Sequence, residues 1–432
     1  MDLIWLTLIS IILSSSYLFH HGWVFVAALT FIFLIANILP STKKLGTWKI
    51  SALNRAVILL KAFWVVLCYD LLALIMYICF QWQGWEELLY TALPMIITAA
   101  ILFWNGIIRT YIFSGQLRIK LRVLGILCWP VPVLNLIVLW YILLVAAREV
   151  VEEDERHFLD QIRAENEICK TKYPLLMLHG VFFRDYRFFR YWGRIPSILI
   201  KNGATIYYGE QQSADSIVNA GKEIAKRVRQ IVDSTGCGKV NIIAHSKGGV
   251  DARSAITNES LAPYIASLTT INAPHRGCKY ADAIFSHVKM EKVERLAKYY
   301  NSILHKVGDH NPDFLSAVLD LTEKRCREFN ETCPDSKGVF YQSYGSYANN
   351  SRGGKFPLNI SYRFVKHFDG RNDGLVAERS MRWGEKYTLL EPAGRRGITH
   401  GDMIDLNREN IDGFDIREIY VKLVADLKNR GF

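Results

Sequence analysis

Within Val240-Asn241-Ile242-Ile243-Ala244-His245-Ser246-Lys247-Gly248-Gly249 a serine sits between small residues. An apolar, β-favouring run leads into it, and a helix-compatible stretch, Val250 to Ile256, leads away. Strand, sharp turn and helix around small-x-Ser-x-Gly is the context that exposes a serine hydroxyl for nucleophilic attack. The flanking positions must be small because side chains collide in so strained a turn. Here they are Ala244, one methyl larger than the usual glycine, and Gly248. A bare Ser-x-Gly is common in ordinary strand-to-helix loops, so the partners decide its meaning.

A serine hydroxyl is a weak nucleophile until a base takes its proton, and an imidazole base needs a carboxylate to fix its tautomer. With an elbow of this type the partners follow in chain order, acid and then histidine. The acid candidate is Asp373 in Arg371-Asn372-Asp373-Gly374-Leu375-Val376, although Asp-Gly is also a frequent plain turn. The base candidate is His400 in Gly397-Ile398-Thr399-His400-Gly401-Asp402. Asp369 is the nearest rival acid. His275, in Ala273-Pro274-His275-Arg276-Gly277, ends a strand but precedes any acid in the required order. His305, His310 and His367 lack a comparable setting. A developing oxyanion needs two preorganised N–H donors. One is expected from Lys247, after the nucleophile, and the other from Val181, after His179-Gly180.

The elements that must hold these groups alternate in type. Short buried-type strands are expected at Pro174–Leu178, Ala204–Tyr208, Val240–Ala244, Leu268–Asn272, Val339–Tyr344 and Ser361–Val365. Asp215–Val232 repeats Ile217, Ala220, Ile224, Val228 and Ile231 at helical spacing, and a long helical stretch runs from about Ala281 to Arg327. Strands alternating with helices imply an α/β domain with a mainly parallel sheet, ligands binding at the strand C-terminal ends.

The first third of the 432 residues is of a different kind. Apolar runs at Leu3–Leu18, Trp23–Leu39, Ala62–Phe80, Leu89–Ile108 and Val123–Ala147 suggest an all-α transmembrane region of about five helices. The first lacks the basic start and cleavage site of a signal peptide, so it is expected to be retained. Bases gather in Lys43–Lys61 and Arg109–Arg122, while Gln81–Leu88 has none. The positive-inside rule then puts the basic loops in the cytoplasm and everything after Ala147 outside, in a multi-pass cell-membrane protein. Asp70, inside a span, is expected to pack against a helix neighbour. The formal charge of +11 is thus mainly a topology signal, and no nucleic-acid-binding motif accompanies it. The organisation expected is a transmembrane region over 1–148, a charged stalk over 149–172 and a catalytic domain over 173–432. The eight cysteines show no Cys-x-x-Cys spacing, and Cys326 and Cys333 are close enough in sequence for a bridge.

Tyr173-Pro174…His179-Gly180, Tyr191-Trp192-Gly193-x-Ile195-Pro196-Ser197, Lys239-Val240-Asn241…His245-Ser246-x-Gly248-Gly249, Ala273-Pro274-His275-x-Gly277 and Asn372-Asp373-Gly374-Leu375-Val376 resemble the secreted bacterial triacylglycerol lipases of the α/β-hydrolase fold. The resemblance covers about Tyr173 to the C-terminus. It implies Ser246 as nucleophile, Asp373 as acid, His400 as base, Val181 and Lys247 as oxyanion donors, and a helical lid within Ala281–Leu321. In calcium-binding members the loop after the catalytic histidine supplies metal ligands. Asp402 matches one, but Leu406 stands where a polar side chain is expected. No cofactor is therefore expected, with calcium near Asp402 left open. The aromatic run Val181, Phe182, Phe183, Phe188 and Phe189 suits an acyl-pocket wall or plain core. The amino-terminal spans are absent from the secreted pattern and suggest a membrane-tethered relative acting on lipid or other acyl esters. A phospholipase or acyltransferase of the same fold, or an inactive membrane sensor or transport component, are the alternatives.

Overall fold

The computed structural model describes residues 2–181, 191–306, 308–391 and 394–432. Two compact units are present, Met1–Gln161 and Ile162–Phe432.

The first unit is helical: α1 (Asp2–Ser14), α2 (Trp23–Ile38), α3 (Trp48–Phe80), α4 (Trp85–Phe113), α5 (Ile119–Cys128) and α6 (Pro132–Ala164). Among the described residues α3, α4 and α6 are long and apolar enough to cross a membrane, three where five are expected from the sequence. At 1.5 Å per residue, α1 with 13 residues and α2 with 16 fall short of a hydrocarbon core about 30 Å thick. The fifth apolar run breaks at Trp129-Pro130-Val131, leaving the ten-residue α5 apart from α6. The charged stretch expected as a stalk begins within α6, which continues unbroken to Ala164. Asp70 is buried within this unit.

In the second unit the elements run β1 (Leu175–Leu178), α7 (Ile195–Lys201), β2 (Ile206–Tyr208), α8 (Ile217–Thr235), β3 (Val240–His245), α9 (Lys247–Asn258), β4 (Ile265–Ile271), α10 (Lys279–His287), α11 (Met290–Lys306), α12 (Phe314–Leu319), α13 (Glu323–Thr332), β5 (Phe340–Ser346), α14 (Leu358–Asp369), α15 (Glu378–Met381), β6 (Lys386–Leu390) and α16 (Ile416–Asn429). The six strands form one sheet in the order β2-β1-β3-β4-β5-β6, and every neighbouring pair is parallel.

Strand periodicity builds the two layers around it. Leu175 and Met177 point to the face covered by α7 and α16, packing with Ile198, Leu199, Tyr420 and Val424. Leu176 and Leu178 point to the opposite face, against Ile224 and Val228 of α8 and Ala252 and Ala255 of α9. The stripe read from sequence on α8 is the buried one, Ile217, Ala220, Ile224, Val228 and Ile231 all being enclosed. Burying each of its larger aliphatic side chains is worth about 1.5–3 kcal/mol.

Two elements differ from the sequence reading. Ser361–Val365, expected as a strand, lies inside α14, because Tyr362, Val365 and Asp369 recur at helical spacing and bury together. β6 was not anticipated, since it is an edge strand whose residues are all half-exposed.

Candidate active site

β3 delivers Ser246 to the end of the sheet between β1 and β4. Its backbone adopts φ 56°, ψ −134°, a conformation that non-glycine residues rarely enter and that surrounding structure must enforce. The enforcing bonds are Ser246 N–H to Ile271 O at 2.9 Å and Gly249 N–H to Ser246 O at 3.0 Å. A Cβ on Gly248 would collide with the His179 carbonyl oxygen, so this position must be glycine. Within His245–Gly249 only Ser246 is half-buried, the rest being buried. The sharp turn therefore presents the hydroxyl and hides its neighbours.

Asp373 and His400 come together. His400 Nδ1 lies 2.6 Å from Asp373 Oδ2, and the His400 N–H donates to the Asp373 carbonyl oxygen at 2.9 Å. Asp373 is fully buried. Its other oxygen, Oδ1, accepts from the N–H groups of Leu375 at 2.9 Å and Val376 at 2.8 Å. Asn272 Nδ2 donates to Oδ2 at 2.6 Å and to Ser346 Oγ at 2.7 Å. Four hydrogen bonds on one carboxylate fix its position, so that it can orient the imidazole. His400 packs against the elbow itself, its ring centroid 4.4 Å from that of His245.

The loop after β1 closes on the same point. A Cβ on Gly180 would stand 2.7 Å from Ser246 Cβ, so glycine here lets backbone approach the serine. Tyr191 fixes the loop, its hydroxyl accepting from Gly180 N–H at 2.9 Å and bonding His245 Nδ1 at 2.7 Å. Val181 follows directly, and Lys247 opens α9, where the first N–H groups of a helix have no intrahelical acceptor. Phe182, Phe183, Phe188 and Phe189 lie outside the described residues.

The Lys247 side chain has separate business. Its Nζ pairs with Asp251 Oδ1 at 2.5 Å, both side chains being buried. Burial pushes the Asp251 carboxyl up to about 7, against the opposing pull of Lys247. Burial, and then the nearby His400, holds the His245 imidazole well below its ordinary pKa and so neutral.

The rivals are placed elsewhere. Asp369 accepts from Lys279 N–H, Tyr280 N–H and Arg379 Nη2 at 3.2, 3.0 and 2.8 Å, which makes it the anchor of the α10 N-terminus. His275 is buried with Nε2 2.9 Å from Thr270 Oγ1, its ring stacked on Trp383 at 5.2 Å. Cys326 and Cys333 are free thiols, directed at the carbonyl oxygens of Pro274 and Asp320 and of Arg253 respectively.

The donors around Asp402 do not fit a calcium ion. Asp402 Oδ2 accepts from Arg396 Nη1 at 2.7 Å, Thr399 N–H at 2.8 Å and Thr399 Oγ1 at 2.7 Å, while Oδ1 accepts from Arg396 Nη2 at 3.0 Å. Asp405 is taken by Arg194 through Oδ2 at 2.8 Å from Nε and Oδ1 at 2.8 Å from Nη2. Guanidinium groups already supply the positive charge there, and no cluster of three potential metal ligands occurs among the described residues. Sequence reasoning missed Asn272, Tyr191, His245 and Arg396. The Tyr191-Trp192-Gly193 motif and Asn272, just after β4, were visible but carried no sign of these partners.

Residues 206–337 match the family model described as "Putative serine esterase (DUF676)". The chain is 28% identical over 186 residues to a triacylglycerol lipase of Burkholderia plantarii, covering 40% of this chain and 51% of that one. It is 27% identical over 241 residues to a triacylglycerol lipase of Vibrio cholerae, covering 50% and 76%. The chain thus spans about half the length of the first of these relatives. Among solved structures it is similar to the mature lipase of Bacillus licheniformis, at 21% identity and a TM-score of 0.44, covering 59% of this chain and 92% of the other.

Proposed function

Starting from a chain related to the triacylglycerol lipases, we propose that it is a membrane-anchored serine hydrolase of carboxylic esters, with lipid esters as substrates. Ser246, His400 and Asp373 form its catalytic triad. The observation that carries the reading is the strained Ser246 turn packed, through His245, on the imidazole that Asp373 orients.

His400 Nε2 takes the proton of Ser246 Oγ as the Oγ–carbon bond forms to the ester carbonyl. The oxyanion so created is met by the backbone N–H groups of Val181 and Lys247. His400 then passes its proton to the alcohol oxygen as the ester C–O bond breaks, leaving an acyl-serine. Water, deprotonated by His400, attacks that acyl carbon and releases the fatty acid while the serine recovers its proton. Asp373 keeps Nδ1 protonated throughout, so that Nε2 is free to accept.

α3, α4 and α6 are the anchor. Lys43 and Lys44 precede α3 and Lys49 lies in its first turn, and Arg118, Lys120 and Arg122 lie between α4 and α6, which puts both segments in the cytoplasm and the second unit outside.

The experiment is hydrolysis of p-nitrophenyl acyl esters by the purified full chain and by Ser246→Ala. The proposal expects a fall of at least about a thousandfold in kcat with unchanged circular dichroism. Equal turnover by the variant removes the serine from the mechanism. Protease added to intact cells tests the topology, with cleavage of the second unit expected and full protection contradicting it.

A further inference from the structure

Packed against the loops that carry Asp373 and His400 is a helix with an uncovered apolar face. On α14 the buried side is Tyr362, Val365 and Asp369. The other side exposes Ile360 at 63%, Phe364 at 43% and Phe368 at 36%, with Phe356 just ahead of the helix at 79%. The three helical positions recur at a spacing of four and so share one face. Such side chains would gain by leaving water: Tyr280 of α10 meets Phe364 edge-on at 6.1 Å, and the rest of the stripe stays exposed.

Charge says what fits there. Arg352, Lys355, Arg363 and Lys366 are all exposed around this stripe. Between residues 350 and 370 the sole acid is Asp369, which is buried and held by Arg379 at 2.8 Å. Farther out, Glu378 pairs with Arg371 at 3.0 Å, and Glu409 lies 3.7 Å from Lys355 and 3.4 Å from Arg396. An exposed phenylalanine stripe bordered by Lys and Arg with no free acid is the composition of a helix that lies in the headgroup region of an anionic bilayer. A protein partner of matching character would need an acidic rim around an apolar pocket. A bilayer containing anionic lipid offers both at once, and the same chain has three helices of membrane-spanning length.

We propose that α14 is a docking surface for anionic membrane lipid, its phenylalanines inserted at the acyl boundary and its cations on the headgroups. The position matters because α14 supports the acid loop. Ser361 Oγ donates to Gly374 O at 2.6 Å, and Asn372 Nδ2 to Tyr362 O at 3.4 Å. Leu358 lies against both Gly374 and Gly401, the neighbours of Asp373 and His400. Lipid held on α14 is therefore held beside the candidate site. The docking claim stands on its own chemistry and does not require Ser246 to be a nucleophile.

The test is backbone hydrogen exchange of residues 358–369 in the full-length protein, compared in detergent, in phosphatidylcholine proteoliposomes and in proteoliposomes containing phosphatidylglycerol. Exchange should slow by at least about tenfold with phosphatidylglycerol, while β3 and α9 peptides stay constant as the folding control. Arg363→Glu combined with Lys366→Glu should return α14 to its phosphatidylcholine rate, and Phe364→Ser should do so by removing insertion. Equal exchange in all three environments overturns the proposal. So does slowing that is indifferent to phosphatidylglycerol and to the charge reversal, or slowing that follows protein concentration at fixed lipid, which would identify a second copy as the occupant.

Discussion

The imidazole of His245 lies 4.4 Å from that of His400, centroid to centroid, although the two stand far apart in the sequence of the second unit. The residue before Ser246 thus packs on His400 itself, and Tyr191 ties that same ring to the Gly180 loop. The Ser246 turn, His400 and the Gly180 loop share one contact network. A disturbance in any of them reaches the others through His245.

Three buried titratable groups should make stability fall with acid. Burial holds the His245 and His275 imidazoles well below their ordinary values, so each stays neutral in the fold and binds a proton in the unfolded chain below pH about 6.5. Asp251 works the other way: its folded carboxyl, raised to about 7, holds a proton that the unfolded chain gives up above about 4. Between pH about 4 and 6.5 the unfolded state binds one proton more from these three groups. They therefore lose about 1 kcal/mol of stability per pH unit on acidification. The denaturant midpoint should be lower at pH 5 than at pH 6.5, and a midpoint that rises towards pH 5 contradicts the assignment.

Asn272→Asp tests the support of Asp373. The side chain that donates to Asp373 Oδ2 at 2.6 Å would be replaced by a second carboxylate, at a position whose φ of 47° aspartate tolerates. Two carboxyl groups forced into contact should disturb the Asp373–His400 pair and lower kcat about ten- to a hundredfold with circular dichroism unchanged. An unchanged kcat shows that Asn272 does not act through Asp373.

Lys247 divides its labour between backbone and side chain. Lys247→Met keeps the N–H but leaves the buried Asp251 carboxyl without its partner, which costs about 1–3 kcal/mol. Thermal stability should drop while the specific activity of the folded fraction is retained, and adding Asp251→Leu should recover most of the loss. Loss of activity with stability intact would assign the ammonium a part in the reaction.

The sequence was most legible where chemistry is local. Small residues around Ser246, the Asp373-Gly374 turn and the glycines beside His400 announce their backbone needs within a few positions, and the buried strands β1 and β3 are short apolar runs. Contacts made across the fold left no such trace. Asn272 meets Asp373 across 101 positions and Tyr191 meets His245 across 54. α14 was misread because Ile360, Tyr362 and Val365 are strand-favouring residues whose helical spacing decides the outcome. The apolar runs at the N-terminus told composition correctly but not where Pro130 interrupts the helix.

Metal removal should have no effect. Arg396 and Arg194 hold Asp402 and Asp405, so EDTA is expected to leave both the melting temperature and ester turnover unchanged. Arg396→Gln should instead destabilise the His400 loop, by about 1–3 kcal/mol, because it strips charged donors from a buried carboxylate. A melting temperature lowered by EDTA and restored by calcium would overturn this.

Labelling with a fluorophosphonate tests the central claim most directly, since only an activated serine reacts quickly at phosphorus. Peptide mapping of the labelled full-length protein should find the adduct on Ser246, absent in Ser246→Ala and slowed by at least about a thousandfold in His400→Ala. A folded protein that takes no label, or one labelled at another residue, would contradict it.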